Sequence, residues 1–310
     1  MEREILVPVI TPFTAEGRLD LDGYITNLHR LAGGGVDGAV LMGSSGEFPH
    51  LTHAERRQLI QVVSAQRPAA FKILVHAGGG AVDEVAELVQ DTVAAGLDGA
   101  LVITPFYFQP QLQRQALTGY YRHLMAFGPV YLYHYPRFTG VSLAAEWVVE
   151  LAEEGLSGIK DSSGQTAFFA ELRALTRQRD FRLYTGSGSA FLAALCQGAA
   201  GGIMALAQLA PAELIRIREL WLAGQLEEAG RLQDRLVALD QATGARFGIA
   251  GLKWAAHLAG LVSSQPRRPL VALAPEAEAV LSELFTAATA PSDSPPGRPR
   301  PVSGHRGSGG

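Results

Sequence analysis

Short apolar runs alternate with longer amphipathic segments along most of this chain. Residues 32–41, 94–102, 154–160 and 198–205 each contain the end of a helical segment, a glycine, and then an apolar run. Glycine suits the helix end because it readily adopts the left-handed conformation that commonly closes a helix. The runs are apolar at consecutive positions, which is typical of strands covered by helices on both faces. The repeated unit therefore predicts a parallel sheet enclosed by helices.

Four further strands are predicted between these copies, with amphipathic helices separating them. The strands are residues 5–11, 71–77, 130–135 and 181–185, and the clearest helices are residues 24–32, 53–66 and 82–95. Eight strands that alternate with helices up to about residue 206 indicate an α/β fold, a closed (β/α)8 barrel of the TIM type. An open doubly wound sheet is the alternative, but no Gly-x-Gly-x-x-Gly turn opens a helix after the first strand.

Only helical patterns remain after the eighth predicted strand. They cover residues 211–222, 226–245, 248–259 and 275–286. We therefore assign the barrel to residues 1–206, with its last helix running to about residue 224, and a C-terminal helical region to residues 225–289. Residues 290–310 are rich in Pro, Ser and Gly and have very few apolar side chains. Such a segment cannot bury enough apolar surface to fold, so we expect a disordered tail.

Composition narrows the functional classes. The chain has 310 residues, 47% of them hydrophobic, and a net charge of −4, so neither nucleic acid nor an anionic membrane is an expected partner. Its single cysteine, Cys196, excludes an internal disulfide and a cysteine-rich metal site. His50 and His53 lie close together without a third ligand in a metal-binding pattern, so no metal site is expected. The chain shows no signal peptide and no apolar stretch of membrane-spanning length, which predicts a cytoplasmic protein.

One lysine stands out at the end of an apolar strand. The whole chain has only three lysines, Lys72, Lys160 and Lys253, so lysine does not serve here as general surface charge. Burial at a strand end favours the neutral, nucleophilic amine of Lys160, which can form a Schiff base with a carbonyl compound. The alternative is a salt bridge between Lys160 and the neighbouring Asp161, and this segment alone leaves both interpretations open.

The other strand ends carry polar residues where barrel enzymes place their chemistry. Glycines flanking the turn of residues 43–47 let its backbone N–H groups point at an anion, although an ordinary strand-to-helix loop is the simpler interpretation. Tyr133 and Tyr107 could be core aromatics, or a phenol facing a buried amine can pass protons. His134 alternates with Tyr133 along its strand, so we expect it to point outside the barrel. Glu47 is expected to brace its loop.

Four motifs in order resemble the dihydrodipicolinate synthase/N-acetylneuraminate lyase family of pyruvate-dependent class I aldolases. They are Gly-Ser-Ser-Gly-Glu at residues 43–47, Thr-Pro-Phe-Tyr at 104–107, Tyr-His-Tyr-Pro at 133–136 and Gly-Ile-Lys-Asp-Ser at 158–162. The resemblance covers about residues 4–288. It implies a small-molecule 2-oxo acid and an aldehyde as partners, and no cofactor besides a covalent lysine imine. It also implies a homo-oligomer, either a dimer or a tetramer.

The resemblance further implies a role for each matching residue. Lys160 would form the imine with pyruvate or another 2-oxo acid, and Tyr133 would shuttle protons during imine formation and C–C cleavage. Ser44 and Ser45 match the turn that binds the substrate carboxylate, with one hydroxyl in the proton relay. Tyr107 matches a catalytic tyrosine that is often completed across a tight dimer. The other substrate-binding residues implied are Gly186 and Ile203, through their backbones, together with Arg137 and Ser162.

The second substrate depends on a departure from the family pattern. Dihydrodipicolinate synthases usually carry an arginine two residues after the proline of the tyrosine motif, where this chain has Phe138, and Arg137 comes one residue early. Residues 43–52 and 246–253 look more like 4-hydroxy-2-oxoglutarate aldolases, although the second stretch is expected to lie away from the chemistry. We therefore expect cleavage of a 4-hydroxy-2-oxo acid such as 4-hydroxy-2-oxoglutarate.

Several alternatives stay open at this stage. One is a 4-hydroxy-tetrahydrodipicolinate synthase that condenses pyruvate with aspartate semialdehyde, and another is a 2-keto-3-deoxy sugar-acid aldolase. A catalytically silent protein that binds 2-oxo acids would be expected to lack Lys160 or Tyr133, and both are present. A metal-dependent class II aldolase would need clustered histidine and carboxylate ligands, and the sequence shows no such pattern.

Overall fold

Eight parallel strands close into a barrel in chain order, in a computed structural model that describes residues 3–290. Each strand pairs with the next, and the eighth pairs with the first through the register of Leu6 with Ile203. The strands are β1 (Glu4–Pro8), β2 (Gly38–Leu41), β3 (Lys72–His76), β4 (Gly99–Ile103), β5 (Val130–His134), β6 (Gly158–Asp161), β7 (Arg182–Thr185) and β8 (Gly201–Ile203). The predicted (β/α)8 barrel is confirmed.

Helices follow the strands and cover the outside of the barrel. The barrel helices are α1 (Leu21–Gly33), α2 (His53–Ala65), α3 (Val82–Ala94), α4 (Arg114–Met125), α5 (Pro136–Thr139), α6 (Ala145–Glu153), α7 (Thr166–Leu175), α8 (Phe191–Cys196) and α9 (Pro211–Leu222). Helix α2 begins with a capping box, in which the Thr52 hydroxyl accepts from the Glu55 N–H and the Glu55 carboxylate accepts from the Thr52 N–H. Local chemistry therefore sets where this helix starts.

The apolar core has two parts because successive strand residues face opposite sides. Between strands and helices, residues such as Leu132 and Ile159 form the large outer cluster. Inside the barrel, Leu74, Tyr133 and Ile203 belong to a smaller inner cluster. Both clusters are buried. Side chains of the inner cluster that lie near the carboxyl ends of the strands are therefore shielded from water.

Three further helices form the C-terminal region. They are α10 (Leu226–Gln241), α11 (Gly248–Leu258) and α12 (Pro275–Thr289). Helix α10 packs against α8, α9 and α12, and α11 packs against α12. The chain after α11 returns to the barrel, where the Phe13 N–H donates to Ser264 Oγ at 3.0 Å. This contact holds the C-terminal region against the carboxyl end of the first strand.

Element boundaries differ from the sequence-based ones at a few places. Strand β1 ends at Pro8 and not near residue 11, because the Ile10 N–H donates to the side chain of Gln208 and no longer to a neighbouring strand. Helix α10 ends at Gln241 and continues as a π-helical turn (Ala242–Arg246). The predicted disordered tail from residue 291 onward lies outside the described residues. No helix among residues 3–290 has both the length and the apolar character needed to cross a membrane.

Candidate active site

Lys160 lies inside the barrel near the carboxyl end of β6. It stands in register with Tyr133 of β5 on one side and Tyr184 of β7 on the other, and only 6% of its surface is exposed. Burial disfavours the charged ammonium group and lowers the pKa of Lys160 to about 7. At neutral pH a large fraction of this amine is therefore unprotonated and nucleophilic.

The alternative salt bridge between Lys160 and Asp161 is wrong, because the two side chains point to opposite faces of β6. Asp161 Oδ1 lies 2.8 Å from Nδ1 of His134, and Asp161 Oδ2 accepts from the Ser163 hydroxyl at 3.0 Å. His134 packs against Phe168 outside the barrel, which confirms its predicted direction. Across residues 3–290 no carboxylate lies within ion-pair distance of the Lys160 amine. Its burial is thus uncompensated by an opposite charge.

Tyr133 places a phenol beside this amine. The Lys160 Nζ lies 4.1 Å from the centroid of the Tyr133 ring. Burial raises the pKa of Tyr133 to about 12, although the hydroxyls of Ser44 and Ser162 approach its oxygen and oppose that rise. The phenol is therefore protonated at neutral pH, when the amine is partly neutral. The site therefore places a neutral proton donor, the Tyr133 phenol, next to a partly neutral nucleophile, the Lys160 amine.

The serine turn after β2 leaves donors free for an anion. The N–H groups of Gly46 and Phe48 donate to the carbonyl of Gly43, at 3.0 and 3.3 Å, so the turn is closed by its own backbone. These bonds do not use the N–H groups of Ser44 and Ser45. The Ser44 hydroxyl is buried and has no partner of normal hydrogen-bond geometry among the described residues. A buried hydroxyl that lies near the Tyr133 phenol without a well-formed hydrogen bond is a candidate ligand-binding group.

A buried ion pair between Glu47 and Lys253 anchors the serine turn. Glu47 adopts a left-handed backbone conformation with φ of 60°, which is uncommon for a residue with a side chain. Its Oε1 lies 2.5 Å from Lys253 Nζ on α11, and its Oε2 accepts from the Arg267 N–H at 2.8 Å. The expectation that Glu47 braces its loop agrees with these contacts. The expectation that residues 246–253 lie away from the chemistry is wrong, because Lys253 reaches the serine turn directly.

Gly186 is a glycine because the Ser162 side chain fills the space that a Cβ would need. A Cβ at this position would lie 1.8 Å from Ser162 Oγ and 3.1 Å from Lys160 Cε. The Gly186 N–H donates to the Asp161 carbonyl at 2.7 Å, which holds the backbone in place. Ile203 lies fully buried in the inner cluster that also contains Tyr133. The structure thus brings Gly186 and Ser162 together with Lys160, and places Ile203 in the same interior.

Two predicted site residues are not brought to Lys160 within one chain. Tyr107 is 83% exposed and contacts Phe108, with ring centroids 5.0 Å apart. Arg137 is exposed on the short helix α5, which the sequence did not predict. The neighbouring Phe138 packs its ring against Tyr135 at 4.5 Å. The roles of Tyr107 and Arg137 stay predictions.

His76 is a buried residue of the site that the sequence analysis did not select. It lies on the inner face of β3, with its ring centroid 6.1 Å from that of Tyr133 in an edge-on arrangement. Burial, together with the charges of Arg56 and Lys160, holds the pKa of His76 well below its usual value, so the ring is neutral. Side chains two residues apart on a strand point to the same face, so the inward direction of Leu74 also predicts an inward direction for His76. In residues 3–290, no group of His, Cys, Asp and Glu side chains has a metal-binding arrangement.

A buried amine beside a protonated phenol, at the carboxyl ends of barrel strands, is the arrangement of a lysine-dependent carbon–carbon lyase. Residues 1–288 match the model of the Dihydrodipicolinate synthetase family. The chain belongs to this family, which confirms the resemblance drawn from the four motifs and the class of enzyme.

Relatives and solved structures match over nearly the whole chain. A 4-hydroxy-tetrahydrodipicolinate synthase from Methanothrix thermoacetophila is 29% identical, over 92% of this chain and 97% of the relative. One from Synechococcus sp. is 32% identical, over 91% of this chain and 92% of the relative. The crystal structure of YagE, an E. coli K12 prophage protein of the dihydrodipicolinic acid synthase family in complex with pyruvate, is similar with a TM-score of 0.87 and 27% identity, covering 92% of this chain and 98% of YagE.

Proposed function

We propose that this protein makes or breaks a C–C bond between pyruvate and an aldehyde through an imine on Lys160. The observation that carries the proposal is the buried Lys160 amine, whose pKa of about 7 keeps a large neutral fraction at neutral pH. A charged ammonium group cannot attack a carbonyl carbon. The scarcity of lysine elsewhere in the chain, with Lys72 and Lys253 both engaged by carboxylates, supports the same assignment.

Imine formation begins when the neutral amine attacks the C2 carbonyl of pyruvate. Tyr133, protonated at neutral pH, donates to the departing hydroxyl so that water leaves and the imine forms. The N–H groups of Ser44 and Ser45, with the unsatisfied Ser44 hydroxyl, receive the pyruvate carboxylate. The absence of a side chain at Gly186 leaves room for the Ser162 hydroxyl, which approaches the Tyr133 phenol.

Carbon–carbon bond formation follows from the enamine. Loss of a proton from pyruvate C3 gives an enamine, whose C3 attacks the aldehyde carbon while the aldehyde oxygen takes a proton. Water then hydrolyses the imine and frees Lys160. Cleavage of a 4-hydroxy-2-oxo acid is the reverse sequence, so the same residues serve both directions.

Two candidate reactions differ in the aldehyde. The names of the relatives support the condensation of pyruvate with aspartate semialdehyde, which makes 4-hydroxy-tetrahydrodipicolinate. The second candidate, cleavage of a 4-hydroxy-2-oxo acid, is favoured by one feature of the site. Phe138 stands where a carboxylate-binding arginine is expected, and the Arg137 side chain is exposed on α5.

We also propose that the protein self-associates. Tyr107 and Phe108 are 83% and 63% exposed on a loop after β4, an unfavourable place for two large aromatic rings in water. If a second copy of the chain covered these rings, Tyr107 of one copy would lie toward the active site of the other. Light scattering after size exclusion should give a multiple of the chain mass. The double variant Tyr107→Ser/Phe108→Ser should give a lower mass in the same measurement.

Borohydride trapping tests the imine. The protein is incubated with pyruvate, reduced, digested and analysed by mass spectrometry. We expect the adduct on Lys160, with Lys72 and Lys253 as internal controls in the same digest. An adduct on either of those two lysines, or none at all, refutes the mechanism.

A further inference from the structure

A mainly apolar cavity opens directly over the serine turn. Its volume is about 280 Å³, and Ser44, Glu47, His50 and Thr139 supply its polar lining. Its apolar walls come from five different parts of the chain, so only the folded barrel assembles them. They are Phe48, Ile103, Phe106, Phe138, Ile249 and Leu270.

This cavity adjoins the proposed chemistry. Ser44 lines it, and the Ser44 hydroxyl approaches the Tyr133 phenol. Ile103, another wall residue, stands in register with Tyr133 across β4 and β5. A molecule seated in the cavity therefore lies next to the phenol that stands beside Lys160. This is the place for the group attached to the aldehyde carbon.

The cavity offers no positive charge for a carboxylate or phosphate. None of its lining residues is lysine or arginine, and Arg137 does not contribute to it. The Glu47 carboxylate is engaged by Lys253 and the Arg267 N–H. His50 Nδ1 lies 3.4 Å from the same carboxylate, so the histidine faces a negative group. An anionic substituent would lose its hydration without gaining a partner, whereas an apolar one gains by leaving water.

We propose that this cavity binds the substituent of the aldehyde and that the substituent is apolar, either aromatic or branched aliphatic, without a carboxylate. This inference rests on the proposed pyruvate aldolase function. An apolar protein cavity of roughly 150 Å³ is large enough to bind benzene. A phenyl ring with its aldehyde carbon therefore fits the space above Ser44.

The proposed reaction needs no reactant besides pyruvate, the aldehyde and water. The enamine C3 of pyruvate bonds to the aldehyde carbon, and the C=O π electrons move to oxygen, which takes a proton. Water adds to the imine carbon, the C–N bond breaks, and Lys160 returns as an amine. The product is a 4-hydroxy-2-oxo acid that carries the apolar group on C4.

Four aldehydes test the proposal on the full chain. Pyruvate is supplied with benzaldehyde, 2-methylpropanal, glyoxylate or aspartate semialdehyde, and kcat/KM is measured from product formation by chromatography and mass spectrometry. We expect the two apolar aldehydes to exceed the two carboxylated ones by at least about tenfold, the lower range for apolar pocket discrimination. A preference for either carboxylated aldehyde overturns the proposal.

A charge placed in the cavity wall should reverse the preference. Leu270→Arg should lower kcat/KM for benzaldehyde and raise it for glyoxylate relative to wild type. Leu222→Arg is the matched control, since Leu222 is 67% exposed on α9 and does not line the cavity. If Leu270→Arg changes the ratio no more than Leu222→Arg does, the cavity is not the aldehyde site and the proposal fails.

The trapping experiment separates this proposal from the proposed function. Borohydride reduction with pyruvate alone requires no aldehyde, so an adduct on Lys160 reports only imine formation. An adduct together with a preference for carboxylated aldehydes overturns the apolar cavity assignment and leaves the aldolase intact. Absence of the adduct overturns the aldolase itself.

Discussion

The lowered pKa of Lys160 predicts a distinctive pH profile for its reactivity. With a pKa of about 7, roughly half of the amine is neutral at pH 7, whereas an ordinary lysine with a pKa near 10.5 is neutral in only about one molecule in three thousand. Raising the pH from about 5 to about 8 should therefore increase the neutral fraction of Lys160 about ninetyfold, and a further rise should change it little.

Competitive labelling with trace acetic anhydride measures this profile. The reagent attacks neutral amines, and mass spectrometry of the digest reports each lysine separately. Because the chain has only three lysines, Lys72 and Lys253 act as references in the same samples. We expect Lys160 labelling to level off above about pH 8, and saturating pyruvate to suppress it while Lys72 labelling continues.

Two results would refute this reasoning. Labelling of Lys160 that keeps rising tenfold per pH unit up to about pH 10 would show an ordinary ammonium group, and burial would not be acting on its pKa. Labelling of Lys160 that pyruvate leaves unchanged would show that the amine does not react with the 2-oxo acid. The Lys160→Met variant controls for the peptide assignment.

Three further predictions concern the same residues. Tyr133→Phe should keep the fold and lower kcat by roughly 10²–10⁴-fold, since a positioned proton donor contributes that much; near-full activity would make Tyr133 only a core aromatic. Lys160→Met should raise the free energy of unfolding by at most about 4 kcal/mol at pH 7. The pKa of Lys160 is lower in the folded than in the unfolded protein, so the gain in unfolding free energy from Lys160→Met should fade as the pH rises from about 7 to about 10.5. Urea unfolding measures this gain, and equal gains at the two pH values would contradict the prediction. Lys253→Met should cost about 3–5 kcal/mol by leaving Glu47 charged and buried, and adding Glu47→Gln should recover part of the loss in the same urea experiment. A double variant as unstable as the single one would mean that the buried charge is not the cause.

The sequence by itself determined the barrel and singled out Lys160 as the candidate amine. Strands that are apolar at consecutive positions must be covered on both faces, and eight of them alternating with helices close on themselves. The direction of His134 relative to Tyr133 followed from the two-residue period of a strand, which depends on local geometry alone. Lys160 stood out because lysine is rare in the chain and this one ends an apolar strand.

Only the tertiary structure decided which groups meet across distant parts of the chain. The choice between an ion pair and an isolated amine at Lys160 depended on which partner Asp161 finds, and that partner is His134 on the neighbouring strand. The contact of Lys253 with Glu47 joins positions far apart in sequence, and no periodic pattern encodes such a pairing. The cavity over Ser44 likewise exists only where loops and α11 converge, because its shape and its lack of positive charge are set by packing.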